Sequence, residues 1–266
     1  MNIAVSDFGG ADRYDSTEFL AGVPVFPLSR KTRETNRVVA LDSHEENARA
    51  FNLLRSQMLR EVKDGNLKIV GVTSATPSAG KSFVALNLAA ACSAMSERRV
   101  LICDFDLRRG SVLEALDIEP PHDVSAYLRG TVDDWRSTIF RIEDTNLYVM
   151  PCLKHMRGSS ELITSQRFQD MMAGLRAMSQ EMLLICDLPP VFASDDAILT
   201  AGQLDGYVMV VEYGRNTQRQ VREAMAMLSP APCIGTILNR YRGGFFDAYG
   251  YGYGDPYGIK NYGTNA

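Results

Sequence analysis

A chain of 266 residues with 45% hydrophobic content has room for one large α/β domain or two small ones, and enough apolar side chains for a substantial core. A formal net charge of −4 argues against a nucleic-acid binder, so no nucleic-acid partner is expected. No stretch approaches the roughly 18 apolar residues that would span a bilayer, and no signal peptide opens the chain, so a cytoplasmic protein is expected. The five cysteines are odd in number and form no C-x-x-C. Cys103, Cys186 and Cys233 lie in apolar runs, which predicts reduced thiols. Cys152 and His155 have a spacing seen at metal sites, but no second pair accompanies them, and a structural role is expected.

Residues 1–41 show no sustained periodicity and are expected to be a flexible segment; the basic run RKTRETNR (30–37) reads as a solvated linker. Ser43 with Glu46 forms a capping box, and Ala48, Phe51, Leu54 and Met58 recur behind it at helical spacing. That predicts a helix over about 44–62.

Ile69, Val70 and Val72 then form a short apolar strand that ends in ATPSAGKS (75–82). A phosphate needs this arrangement, because successive backbone N–H groups wrap its oxygens while a helix N-terminus adds positive potential. Pro77, Ser78, Ala79, Gly80, Lys81, Ser82 and Phe83 are the expected cradle. Lys81 would reach the β and γ phosphates, and the Ser82 hydroxyl would hold Mg²⁺. The first glycine of the strict pattern is Ala75 here.

After the loop's helix, RVLICDFD (99–106) reads as a buried strand ending in Asp104 and Asp106. Two apart on extended backbone, these carboxylates would point the same way and could serve a metal and a general base. The middle gives short helices near 112–116 and 124–128, one strand within 139–153, and a helix over 165–178 with Phe168, Met171, Met172 and Leu175 on one face. MLLICDLPP (182–190) is a second buried strand, ending in Asp187 and stopped by Pro189 and Pro190. A helix (195–202), a strand (206–211), a helix (216–228) and a strand (233–238) lead to Asn239 and Arg240.

Alternating strands and helices predict an α/β fold, a mostly parallel twisted sheet with helices on both faces. Ligands of such sheets sit beyond the strands' carboxyl ends, where Lys81, Asp104, Asp106, Asp187 and Asn239 all fall. The expected organisation is a flexible segment (1–41), a phosphate-loop domain (42–242) and a Gly/Tyr-rich tail (243–266). Glycine alternating with tyrosine disfavours a strand, so the tail is expected to be flexible. It is either a sticky terminus or the substrate of the adjacent site.

Taken together, ATPSAGKS (75–82), DFDLRR (104–109), CDLPP (186–190) and the tyrosine tail resemble the bacterial tyrosine kinases of capsule and exopolysaccharide assembly. The motifs occur in the family's order across about 43–262, and the separate cytoplasmic kind is the one resembled. The resemblance implies a P-loop NTPase fold of the partitioning-ATPase-like type, with ATP and Mg²⁺ as cofactors. It implies an autokinase acting in trans on Tyr249, Tyr251, Tyr253, Tyr257 and Tyr262, with control of polymer assembly and export. Lys81 would bind phosphates, Asp104 would take the tyrosine proton, Ser82, Asp106 and Asp187 would hold the metal, and Asn239 and Arg240 would lie near the adenine. Implied partners are a membrane-embedded polysaccharide co-polymerase or activator that recruits the chain to the inner face of the cell membrane, a cognate tyrosine phosphatase, and further copies of the chain.

Departures from the family pattern are Ser78 and Ala79 in the loop, Leu188 after the last aspartate, and Gly110 after Arg109. The ring-forming helix pattern aligns with Arg49, Asn52 and Arg55, two of its three charged positions being changed. A partitioning-type ATPase switch, or a nucleotide-binding scaffold with little turnover, are the alternative readings. Residues 76–79 supply no second loop lysine of the kind such ATPases carry.

Overall fold

The computed structural model describes residues 20, 22–42, 44–45, 48–95, 99–153 and 158–241. Ser43, Glu46, His155 and the tail tyrosines from Tyr249 onward lie outside them.

The chain runs β1 (Val25–Phe26), α1 (Arg30–Asn36), α2 (Arg49–Asp64), β2 (Ile69–Ser74), α3 (Lys81–Ser93) and β3 (Arg99–Asp104). It continues through α4 (Val112–Leu116), α5 (Val124–Leu128), β4 (Phe140–Ile142), β5 (Leu147–Met150), α6 (Ser159–Ile163) and α7 (Gln166–Met178). It closes with β6 (Met182–Asp187), α8 (Asp196–Ala201), β7 (Gly206–Glu212), α9 (Gln218–Met227) and β8 (Cys233–Asn239). The strands form one sheet in the order β1-β4-β5-β3-β6-β2-β7-β8. Every pairing is parallel except β4 with β5.

Both faces of the central strands are covered, which is why β2, β3 and β6 read as largely apolar runs rather than as alternating ones. Alternate side chains divide between two cores. Val70, Val72, Ile102 and Ile185 pack with α2 and α3 on one face. Ile69, Leu101, Cys103 and Cys186 pack on the other with Phe168, Met171, Met172 and Leu175 of α7, so the methionine cluster is core. Helix α3 is buried nearly all round, as its alanine-rich sequence allows.

Three expectations need correction. The single strand expected within 139–153 is a hairpin, β4 antiparallel to β5, turned at Asp144 with φ 57°. The α2 helix starts at Arg49 with Ala48 as N-cap and no side-chain cap, four or more residues later than the expected start. Part of the segment read as flexible is ordered: β1 joins the sheet beside β4, and the basic run forms α1, capped by Ser29, whose hydroxyl accepts from Thr32 N–H at 3.0 Å. Beyond it Val38 and Ala40 are buried. Among the described residues no helix is long and apolar enough to cross a membrane.

Candidate active site

The β2-to-α3 loop takes the shape its sequence suggests, at a cost the sequence also shows. Both Ser78 (φ 66°) and Gly80 (φ 90°) are left-handed, a conformation natural to glycine and strained for serine. Gly80 has a second constraint, because a Cβ there would meet Asn239 Nδ2 at 2.2 Å. That amide donates to the Ala79 carbonyl at 2.8 Å and so braces the loop from the end of β8. Asn216 braces the other side, donating to Thr76 Oγ1 at 2.7 Å while its own oxygen accepts Glu212 N–H at 2.8 Å. Thr73 Oγ1 donates to the Pro189 carbonyl at 2.7 Å, tying β2 to the turn after β6.

Because β3, β6 and β2 are neighbours in the sheet, their carboxyl ends converge. Asp104 and Asp187 are direct cross-strand partners, and Lys81 follows β2 through the loop. Lys81 Nζ lies 2.8 Å from Asp106 Oδ2, 3.2 Å from Asp187 Oδ1 and 3.0 Å from Ser82 Oγ. All four ionisable groups are buried, Asp104 and Asp187 completely.

The two acids after β3 do not act as a same-side pair. Asp104 is the last strand residue and turns its carboxylate into the following loop, accepting N–H groups of Asp106 (3.2 Å), Ser111 (3.0 Å) and Val112 (3.2 Å). Asp106, already off the strand, reaches Lys81 instead.

Burial, then the charge of Asp187, pushes the Asp104 carboxyl well above the usual carboxylate range, against the pull of Lys81. Burial raises Asp187 too, opposed by Lys81 and Ser82. Burial lowers the Lys81 pKa, but Asp187 and Asp106 outweigh it and hold that pKa above the ordinary lysine value. One ammonium thus contacts two carboxylates and feels the charge of a third, Asp104, a donor set with room for more positive charge.

The cluster opens into a cavity of about 460 Å³, walled by Pro77, Ser78, Gly80 to Phe83, Asp106 and Arg240. Arg240 reaches Glu212 Oε1 at 2.8 Å, and Ala79 is buried behind the loop. Sequence reasoning named Arg108 and Arg109 only as part of a motif; both line this cavity. Arg108 is held by Asp196, a fully buried carboxylate 3.0 Å from its Nε, and by Ser159 Oγ at 3.0 Å. Arg108 and Arg109 are adjacent in the sequence, as are Asp195 and Asp196, but nothing in the sequence joins the two pairs. Cys152 is buried, in keeping with a structural role.

No family model matches the chain. Fold and loop together define a P-loop NTPase, and the fold is shared with the septum site-determining protein MinD of Pyrococcus horikoshii (19% identity, TM-score 0.56, covering 66% of this chain and 71% of that one). Closer likenesses narrow the class. The chain is 30% identical over 204 residues to the tyrosine-protein kinase Etk of Escherichia coli K12, covering 76% of itself and 28% of that protein. It is 26% identical over 236 residues to the tyrosine-protein kinase YwqD of Bacillus subtilis 168, covering 88% of itself and 96% of YwqD. The solved kinase domain of Escherichia coli ETK superposes with a TM-score of 0.71 at 28% identity, covering 88% of this chain and 95% of that domain. The chain is a relative of the bacterial tyrosine-protein kinases and has the fold of their kinase domain. It spans about 28% of the length of Etk-type relatives.

Proposed function

We propose that the chain is an ATP-dependent protein-tyrosine kinase that modifies its own C-terminal tyrosines. The observation that carries this is the convergence of Lys81, Asp104, Asp106 and Asp187 beneath the phosphate loop, in a chain related to tyrosine-protein kinases. Its expected acceptors Tyr249, Tyr251, Tyr253, Tyr257 and Tyr262 lie outside the described residues. The domain limits proposed are 42–242 for the kinase core and 243–266 for the substrate tail; β1 and α1, from the segment before residue 42, pack onto that core through β4 and the carbonyls of α4.

A divalent cation fits this donor set. Three carboxylates outnumber one lysine, while among the described residues no group of three or more His, Cys, Asp or Glu side chains is arranged to ligate a metal alone. Mg²⁺ is commonly held this way, by one or two carboxylates with water and substrate phosphates. Ser82, Asp106 and Asp187 would hold it, and it would neutralise phosphate charge.

In this reading the loop N–H groups, Lys81 and the start of α3 bind the triphosphate, and Asn239 and Arg240 bound the base's side. The tyrosine oxygen attacks the γ-phosphorus, the bond to the β–γ bridging oxygen breaks, and ADP leaves. The phenol, with a pKa near 10, gives its proton to Asp104, whose raised proton affinity and one uncommitted acceptor position suit a base. Positioning and charge neutralisation do most of the work in phosphoryl transfer. About 20 Gly-rich residues have a root-mean-square span of roughly 25 Å, which favours a neighbouring copy as substrate. A membrane-embedded polysaccharide co-polymerase or activator at the inner face of the cell membrane and a cognate tyrosine phosphatase complete the proposed setting, with control of polymer export as its outcome.

Incubation with Mg²⁺ and ATP, followed by mass-spectrometric mapping, tests this directly. Tail phosphotyrosine in the native chain and none in Lys81→Met supports it. Free phosphate released without modified tyrosine supports an ATPase switch instead.

A further inference from the structure

A second cavity of about 620 Å³ adjoins the phosphate cavity and shares Phe83 and Arg240 with it. Its floor is apolar, with Phe51 and Phe83 edge-to-face at 5.5 Å between ring centroids. Its wall carries Arg30, Arg33, Arg37 and Arg240 against the acids Glu34 and Glu45. Arg30 is engaged by Glu34 and Arg240 by Glu212, each at 2.8 Å. Arg33 and Arg37 make no side-chain ion pair among the described residues. Moreover, Arg33 Nε is sealed from solvent without any hydrogen-bond partner. A buried guanidinium nitrogen in that state is costly unless something completes it.

An aromatic floor beside two guanidinium groups that no acid among the described residues neutralises matches one ligand chemistry closely: an aromatic ring ending in a dianionic phosphate. The chain itself points to the source. It leaves the described residues at Tyr241, which lines this cavity, and Tyr249 follows eight residues later. Eight residues reach at most about 26–29 Å, enough to come back across the cavity mouth.

We propose that this cavity is a receptor for phosphotyrosine of the chain's own 243–266 segment, Tyr249 foremost, so that the product of the reaction is read beside the nucleotide site. Asn239 and Arg240, given above to the side of the nucleotide base, line this cavity too, so an occupied receptor competes with the base for its place. The inference rests on the tail phosphorylation proposed above, so its test supplies the phosphate chemically. A peptide of residues 244–254 phosphorylated at Tyr249 and its unphosphorylated twin are titrated by fluorescence anisotropy against the full, phosphatase-treated chain. The phosphopeptide binds at least about tenfold tighter than its twin. That preference disappears in Arg33→Gln/Arg37→Gln, falls by about threefold or more in Arg37→Gln alone, an exposed position that spares the fold, and survives in Lys81→Met.

Equal affinity for the two peptides overturns the proposal. So does a preference that persists without Arg33 and Arg37, or one that is lost in Lys81→Met, which moves the site to the phosphate loop. Binding as described, alongside a tail that ATP leaves unmodified, removes the kinase reading and keeps the receptor.

Discussion

Gly80 meets two independent requirements, a φ of 90° and the approach of Asn239 to where a side chain would begin. Gly80→Ala is therefore expected to lower stability by about 1–2 kcal/mol in urea titration, from the left-handed penalty alone. Displacing Asn239 releases the Ala79 carbonyl as well, so nucleotide affinity falls at least about tenfold, readable by calorimetry. Lys81 is the counterpart in charge. Its replacement by methionine leaves Asp106 and Asp187 facing each other without a cation, and the rate of phosphoryl transfer is expected to fall by about 10²–10³ or more. Ser78 shares the left-handed backbone of Gly80 but lacks glycine's freedom to adopt it, so the strain falls on Ser78 alone, which is the physical meaning of this loop's departure from the usual pattern.

Elements are joined here by single polar side chains, and two of these make measurable claims. Asn87 of α3, 1% exposed, accepts N–H groups of Val39 (2.8 Å) and Ala40 (3.2 Å) and donates to the carbonyls of Arg37 and Phe83, both at 3.0 Å. Asn87→Ala is expected to cost about 2–3 kcal/mol and to open residues 30–42 to protease, because several buried backbone groups lose their partner together. Asp205 ties β2 to α7, accepting Lys68 N–H (2.7 Å), Ile69 N–H (2.8 Å) and the guanidinium of Arg176. Burial opposes its charge, but the two N–H groups and Arg176 outweigh that and hold its pKa below the ordinary value. A depressed carboxyl stabilises the fold fully above its unfolded pKa near 4 and ceases to as pH falls through the folded value. Asp205→Asn should therefore cost about 1–2 kcal/mol at pH 7, and the gap should close as pH falls through the depressed folded value.

These same contacts mark the limit of what the sequence makes legible. The loop between β2 and α3, both acid-ended strands and the mostly parallel sheet could be read because strand burial and strand–helix alternation follow from local pattern. Helix α1 could not, since none of its residues is buried and a hydrophobic period has nothing to report. It is docked by Asn87, some 50 positions away, and by Asn36, which donates to carbonyls of α4. β4 and β5, three and four residues long, merged into one apparent strand because the polar turn between them is as short as they are.

At the scale of the whole molecule, the proposed phosphorylation of one copy's tail by another copy's active site would make the reaction second order in chain. Mixing native chain with Lys81→Met chain should place phosphotyrosine on the inactive copy, and the rate per chain should rise with concentration. Modification confined to the native copy at every concentration would mean transfer within one chain. All of this depends on β3, β6 and the β2 loop presenting their charges to one point. The most direct measurement is a crystal structure with Mg²⁺ and a non-hydrolysable ATP analogue. The expected result is a triphosphate wrapped by residues 77–82, with Lys81 Nζ moved from the carboxylates onto its β and γ oxygens and Asp106 and Asp187 facing the metal directly or through one water. A triphosphate seated elsewhere, with Lys81 still paired to Asp106 and Asp187, would contradict it.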